Sequence, residues 1–145
     1  MSVYTDTSFL YSLYVQQTSS AAAVVHLTTS GLGRLPITTL GRFELCNAIR
    51  LSAFRKQIEV KMAAADLQAI GKDFASGVLE IKSCDWTAVH AEAERLSAAY
   101  TLSGGYRGMD TLHVATALIF KAGKFWSFDQ NQRQLAAKEG LLVQP

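Results

Sequence analysis

The sequence predicts an α/β fold, a three-layer sandwich in which a central, mostly parallel sheet is flanked by helices. Three observations predict it. Short β-prone segments alternate with helical patterns along the chain. The pairs Asn-Gly and Asp-Gly, which join antiparallel strands in tight hairpins, do not occur. The hydrophobic share is 49% of 145 residues, which suits one full-sized core, so we expect a single domain over residues 1–145.

The individual elements follow from hydrophobic period, glycines and helix-start residues. The patterns predict strands over residues 2–6, 34–38, 78–82, 124–128 and 141–143. They predict helices over residues 7–17, 19–29, 40–55, 60–75, 86–100, 107–122 and 130–140. In the third of these helices the spacing favours an apolar stripe of Phe43, Cys46, Ile49, Ala53 and Phe54.

Three aspartates fall where parallel strands end or where the following helix begins. Asp6 ends the first strand, Asp129 follows the fourth, and Asp110 opens the helix after Gly104 and Gly105. Ligands of open parallel sheets bind outside the carboxyl ends of the strands. We therefore expect these three carboxylates at the same edge. Each also stands where an N-cap residue belongs, and capping alone is the alternative explanation for each.

Glu44 is the fourth candidate, because apolar residues cover much of the surface of its helix. A buried carboxylate without a partner is costly, so a cation or hydrogen-bond donors should face it. Asn47, one turn along the helix, is one possible donor. The alternative is a solvent-reaching side chain on an amphipathic helix.

The four carboxylates together favour a metal site more than any one of them does. Two carboxylates about 4 Å apart repel by roughly 4 kcal/mol at an effective dielectric of 20, and a divalent ion removes that repulsion. Oxygen ligands select hard ions, so we expect Mg²⁺ or Mn²⁺, which suits phosphodiester hydrolysis. The hydroxyls of Thr7 and Ser127 could hydrogen-bond the carboxylates, although ordinary strand-end or cap hydroxyls are the alternative.

Four segments carry a resemblance to a known family: VYTDTSFL, FELCNAI, RGMDTLHVATAL and WSFDQNQRQLAAKEGL. In this order they resemble the PIN-domain nucleases, in particular the VapC-type toxins of bacterial toxin-antitoxin pairs. The match runs from Asp6 to Leu142, and RGMDTLHVATAL is its most specific block. The resemblance implies an endoribonuclease whose Mg²⁺ or Mn²⁺ ligands are Asp6, Glu44, Asp110 and Asp129.

The resemblance also implies partners. These toxins usually form homodimers and are silenced by a cognate antitoxin that lies in a groove, for which Phe9, Tyr11 and Tyr14 are candidates here, with core packing as the alternative. The chain departs from the family after Asp129, where Gln130, Asn131 and Gln132 replace a further acidic residue and a phenylalanine. The sequence therefore leaves the number of bound ions, one or two, undecided.

Other activities are disfavoured by the sequence. GLGRLP has Pro36 where a nucleotide-binding loop needs its third glycine, His113 is better explained by packing than by catalysis, and Cys46 and Cys84 lack metal-ligand spacing. A net charge of +2 is too small to indicate RNA binding by itself, although Arg50, Arg55, Lys56 and Lys61 cluster.

The remaining alternatives are an inactive PIN-like RNA-binding module and a small Rossmann-like nucleotide binder. No apolar run reaches the roughly 20 residues of a membrane span, and the first residues lack a signal-peptide pattern. We therefore expect a cytoplasmic protein without a membrane partner.

Overall fold

The computed structural model describes residues 2–145. By its internal packing the chain divides into two compact units. The terminal unit consists of Met1–Asp6 and Ser83–Pro145, and the middle unit is Thr7–Lys82. The boundary after Asp6 separates the first predicted site residue from the residue that follows it.

Within residues 2–145, five three-residue strands form at the predicted positions. They are β1 (Val3–Thr5), β2 (Leu35–Ile37), β3 (Leu79–Ile81), β4 (Lys124–Trp126) and β5 (Leu142–Gln144). Every pairing is parallel, as predicted. The strands make two sheets, one in each unit: three strands in the order β1-β4-β5, and the pair β2-β3.

Seven helices lie within the same residues. They are α1 (Thr7–Tyr14), α2 (Ser20–Thr29), α3 (Thr39–Phe54), α4 (Val60–Ser76), α5 (Trp86–Gly104), α6 (Gly108–Ile119) and α7 (Gln130–Lys138). Their order confirms the α/β alternation. α5 continues to Gly104 and stops where Gly105 turns left-handed at φ 65°. α6 ends at Ile119, shortly before Lys121 leaves the helical region at φ 53°.

The terminal unit has its core between the three-stranded sheet and helices α5, α6 and α7. The rings of Tyr4 and Phe125, on neighbouring strands, stack at 5.5 Å between centroids. α6 is buried over most of its surface, with His113 1% exposed. The Tyr4 hydroxyl and His113 Nδ1 are 2.7 Å apart in this core. His113 is therefore a packed, hydrogen-bonded residue, as the sequence favoured.

The middle unit packs α1 against α2 and α3, and α3 against α4. The face of α3 that is buried carries Gly41, Leu45, Ile49 and Ser52, which recur every three or four residues. The predicted apolar stripe is wrong at its two phenylalanines, because Phe43 is 66% and Phe54 is 83% exposed. Both rings lie away from the face that Leu45 and Ile49 define.

Two smaller expectations concern thiols and membranes. Cys46 and Cys84 are free, and each is partly buried. Across residues 2–145, no helix combines the length and the apolar character that crossing a bilayer requires.

Candidate active site

The terminal unit carries three of the predicted site residues at the carboxyl edge of its sheet, where its parallel strands end. β1 and β4 pair with Thr5 opposite Trp126, and the backbone N–H of Asp6 donates to the Trp126 carbonyl at 3.1 Å. Asp6 therefore lies level with Ser127, at the ends of two neighbouring strands. Two residues later Asp129 begins the turn into α7.

Asp6 is fully buried, with 0% exposure. The Ser127 hydroxyl donates to Asp6 Oδ2 at 2.7 Å and accepts from the backbone N–H of Asp129 at 3.0 Å. One hydroxyl thus connects the two strand-end aspartates. The hydrogen bond from Ser127 to a carboxylate, which the sequence allowed, is present.

Asp129 is the N-cap of α7. Its Oδ1 accepts from the backbone N–H of Gln132 at 2.9 Å, and its side chain is only partly buried. Capping, the alternative explanation from the sequence, is therefore a real role of Asp129. One oxygen of Asp129 thus accepts from the backbone at the start of α7. Asp6 instead accepts from the Ser127 side chain, which follows the neighbouring strand β4.

Asp110 lies on the third residue of α6 and is 2% exposed. Its Oδ2 accepts from the backbone N–H of Arg107, the N-cap residue, at 2.9 Å. The Arg107 Nε lies 3.7 Å from the same oxygen. α6 leads through a short turn into β4, so its first residues point towards the edge where β4 ends. Asp110 thus belongs to the carboxyl edge of the terminal unit.

Glu44 belongs to the middle unit, on α3, and is partly buried. The Thr7 hydroxyl donates to Glu44 Oε2 at 3.0 Å. Thr7 is the first residue of α1 and follows Asp6 directly in the chain. Asn47 is exposed, and its role as a donor to Glu44 stays a prediction.

Sequence reasoning missed three buried oxygens of the terminal unit. Thr5 Oγ1, Thr101 Oγ1 and Gln132 Oε1 are buried and have no hydrogen-bond partner among the described residues, and Thr101 lies in α5, away from the strand ends. Thr5 precedes Asp6, and Gln132 is 7% exposed in the turn that Asp129 caps. A signal was available at Gln132, because it belongs to the polar segment 130–132 at which the sequence departs from the resembled family. Buried oxygens of this kind are satisfied by water or a cation.

The donor set suits a hard cation in its chemistry. Asp6 and Asp110 offer buried carboxylates, and ionised carboxylates removed from water gain from a nearby positive charge. Among residues 2–145, however, no three histidine, cysteine, aspartate or glutamate side chains are grouped closely enough to hold a metal ion. The carboxylates therefore fit a metal by type and burial, and their assembly around one ion stays a prediction.

A solved structure resembles the whole chain. It is the crystal structure of VapC20 from Mycobacterium tuberculosis, described as a toxin that cleaves the sarcin-ricin loop. The likeness has a TM-score of 0.68, covers 99% of this chain and 100% of that one, and comes with 18% sequence identity. This chain has the PIN-domain fold. The fold that the sequence resemblance implied is thereby confirmed.

Comparison at the level of sequence adds no relative. No protein-family model matches the chain, and no curated protein matches it. At 18% identity, the likeness to VapC20 carries over the fold. The chemistry of this chain must be argued from its own residues.

Proposed function

We propose that this protein is a Mg²⁺- or Mn²⁺-dependent endoribonuclease and the toxin of a toxin-antitoxin pair. The observation that carries the proposal is the pair of buried carboxylates, Asp6 and Asp110, at the carboxyl edge of a sheet with the PIN-domain fold. Burying two carboxylates lowers the stability of the fold unless hydrogen-bond donors or a cation compensate, and such groups cluster at functional sites. VapC20, which shares the fold, is described as a toxin that cleaves the sarcin-ricin loop.

The residues proposed to hold the ions are Asp6, Glu44, Asp110 and Asp129. When bound, Mg²⁺ or Mn²⁺ lowers the pKa of a coordinated water and offsets the charge of the phosphodiester in the transition state. Asp6 and Asp110 are the principal ligands, since they are the most buried. Asp129 contributes the oxygen that its helix cap does not use. Glu44 joins the set on the resemblance, with Thr7 steering its carboxylate.

One hydroxyl and one backbone N–H orient the two buried carboxylates. Ser127 donates to Oδ2 of Asp6, which orients the carboxylate about its Cβ–Cγ bond and directs Oδ1 to a different side. The Arg107 N–H does the same for Oδ2 of Asp110. Orientation of this kind sharpens ligand geometry and excludes alternative rotamers before a cation or substrate arrives.

The proposed protein partners are an antitoxin and a second copy of the chain. The middle unit has a cavity of about 550 Å³ between α1, α2 and α4, lined by apolar residues that include Leu13, Val24 and Met62. Tyr14 also lines it, while its hydroxyl donates to Asp73 at 2.5 Å. Of the other groove candidates, Phe9 is fully buried and therefore a core residue. The toxin would act on RNA in the cytoplasm.

A second candidate function is an inactive PIN-like module that binds RNA. Two observations favour it: Asp129 is engaged as a helix cap, and no three ligand side chains are grouped among residues 2–145. The Rossmann-like alternative has less support, because Gly31 and Gly33 precede β2 instead of opening a helix. Direct measurement of cleavage and of metal binding separates the first two functions.

The test replaces Asp6 or Asp110 by asparagine, Asp6→Asn and Asp110→Asn. Each variant should lose Mn²⁺-dependent cleavage of RNA, because an amide keeps the shape but loses the charge that a hard ion requires. Titration with Mn²⁺, followed by electron paramagnetic resonance, should show weaker binding in both. Asp85→Asn is the matched control, since Asp85 caps α5 at an exposed position and should leave both measurements unchanged. Full cleavage by both site variants would overturn the proposal.

A further inference from the structure

Arg107 stands at the carboxyl edge of the terminal unit with its charge facing solvent. It is the N-cap residue of α6, and its backbone N–H holds Asp110 Oδ2 at 2.9 Å. Its side chain is 75% exposed, although its Nε is 3.7 Å from the same buried oxygen. The exposed side chain of Arg107 is therefore anchored by a backbone N–H that binds the buried Asp110 carboxylate.

The terminal nitrogens of Arg107 are uncommitted. Within residues 2–145, neither makes a hydrogen bond. The distance of 3.7 Å from Nε to Asp110 is a loose ion pair, which at such exposure contributes little to stability. Holding Asp110 requires only the backbone N–H, which any residue except proline would supply. The guanidinium itself is thus left without a structural task in the described part of the chain.

Other cations of this unit differ from Arg107 in position or engagement. Arg95 contacts Glu92 and Glu139 at 2.6 and 2.7 Å. Arg133 donates to the carbonyls of Ser127 and Pro145. Lys121 and Lys124 lie before or at the start of β4, at the opposite edge of the sheet.

Several glycines lie close to Arg107 in the chain. A Cβ placed on Gly105 or Gly108 would meet no atom within 4 Å outside its own backbone surroundings, whereas one on Gly104 would clash with the Tyr106 ring. A guanidinium presents a planar fork that binds two phosphate oxygens at once. The Nε of Arg107 lies 3.7 Å from Asp110 Oδ2, so a phosphate-binding fork stands beside a proposed ion ligand.

We propose that Arg107 is a phosphate-binding residue: its guanidinium binds the RNA backbone beside Asp110, while its backbone N–H orients the Asp110 carboxylate. The inference rests on the proposed nuclease function and assigns that site a substrate contact. The arginine supplies charge and hydrogen bonds to a non-bridging phosphate oxygen. It takes no part in proton transfer, since a guanidinium stays protonated.

The experiment compares matched charge-neutral variants, Arg107→Gln and Lys121→Gln. Binding of a short fluorescent single-stranded RNA is measured in EDTA over a series of salt concentrations, so that cleavage does not interfere. Arg107→Gln should weaken binding about tenfold and lower the salt slope by about 0.7, as expected when one phosphate contact on a single strand is lost. Lys121→Gln, at the opposite edge, should change neither value.

A third variant, Arg107→Lys, separates charge from geometry. It should keep most of the salt slope, because the charge remains, and still cut RNA several-fold more slowly, because the fork is gone. The melting temperature of every variant should stay close to that of the native protein, which a purely structural role of Arg107 would not allow. RNA binding and salt slope unchanged in Arg107→Gln would overturn the inference.

The outcomes also distinguish this inference from the proposed function. RNA that is bound by the native chain but not cut in Mn²⁺ would refute the nuclease, while a loss of binding in Arg107→Gln would still support the phosphate contact. Cleavage by the native chain together with normal binding by Arg107→Gln would refute the contact alone. Absence of RNA binding by the native chain in EDTA would refute the contact alone, because EDTA removes the ions on which the proposed cleavage depends, and cleavage in Mn²⁺ tests the nuclease separately.

Discussion

The terminal and middle units place different chemistry in their interiors and on their surfaces. The terminal unit buries two carboxylates, Asp6 and Asp110, against hydrogen-bond donors. The middle unit carries one predicted ligand, Glu44, which is partly buried and accepts from the Thr7 hydroxyl. Buried charge is costly, so the unit that carries more of it is the one in which chemistry is to be sought.

Exposed hydrophobic side chains show the opposite distribution, because the middle unit has more of them than the terminal unit. Most large hydrophobic side chains that are exposed in residues 2–145 belong to the middle unit; they are Val24, Val25, Leu32, Phe43, Leu51, Phe54, Val60, Met62, Val78 and Ile81. The terminal unit exposes Leu102, Met109 and Leu142. Exposed hydrophobic side chains mark an interaction site where they form a contiguous patch. The comparison therefore directs the search for the buried carboxylate ligands to the terminal unit and the search for protein partners to the middle unit.

The largest effect expected from this comparison is on stability. Phe125→Ala removes a fully buried ring from the sheet of the terminal unit and should lower the free energy of unfolding by about 3–5 kcal/mol. Phe54→Ala removes a ring of the middle unit that is 83% exposed, and should change it by no more than about 0.5 kcal/mol.

Urea denaturation of the two variants beside the native chain measures both values. A cost at Phe54 as large as that at Phe125 would show that Phe54 is covered in solution, for example by a second copy. In that case the cost should depend on protein concentration, as expected of an associating chain.

A smaller effect tests the two hydroxyl donors. Ser127→Ala leaves the fully buried Asp6 without its hydroxyl donor, so cleavage should fall by about 10- to 100-fold. Thr7→Val removes the donor of Glu44, which is only partly buried, and water replaces it more readily. Its effect should be several-fold smaller in an assay of initial rates of RNA cleavage. Equal losses of cleavage in Ser127→Ala and Thr7→Val would contradict the expectation that the donor in the terminal unit matters more for activity.

The smallest effect concerns pH. The hydrogen bond from Arg95 holds the pKa of Glu139 below its usual value of 4.5, a bond from Tyr100 adds to this, and burial opposes it. Because the folded pKa lies below the unfolded one, the stabilisation is present above pH 4.5 and is lost as pH falls through the folded value.

Thermal melts between about pH 3 and 6 should therefore show a slightly weaker loss of stability on acidification in Glu139→Gln than in the native chain. Glu80→Gln in the middle unit is the control, since it removes only an exposed ion pair with Lys82 at 3.2 Å. A pH response in Glu80→Gln as strong as in Glu139→Gln would remove this contrast between the units.

Much of the fold and part of the site could be predicted without coordinates. The alternation of strands and helices, and their boundaries to within a few residues, follow from hydrophobic period and from glycines such as Gly77 and Gly105, whose φ values of 80° and 65° end helices. Topology then places Asp6 and Asp129 at one edge, because neighbouring parallel strands end together. Asp110 follows from the same rule through the helix that leads into β4.

The errors have one cause. Phe43 and Phe54 were assigned to a buried face because a helical period shows which residues share a face, but not which face its neighbours cover. Spacing along one helix could suggest Asn47 as a donor to Glu44, but it could not suggest Thr7, which donates to Glu44 from a position far away in sequence. The predicted fold class is confirmed, whereas the division of the strands between two sheets is decided by contacts between segments distant in sequence.

The sequence by itself determined the order of the elements and the positions of the acidic residues at their ends, because both depend on local period and chain direction. Only the tertiary structure decided that Asp6 and Asp110 are buried, that Asp129 serves a helix end, and that the guanidinium of Arg107 faces solvent. Burial and hydrogen bonding are properties of what surrounds a residue. In a folded chain those surroundings come from segments that are distant in sequence, so local sequence patterns do not specify them.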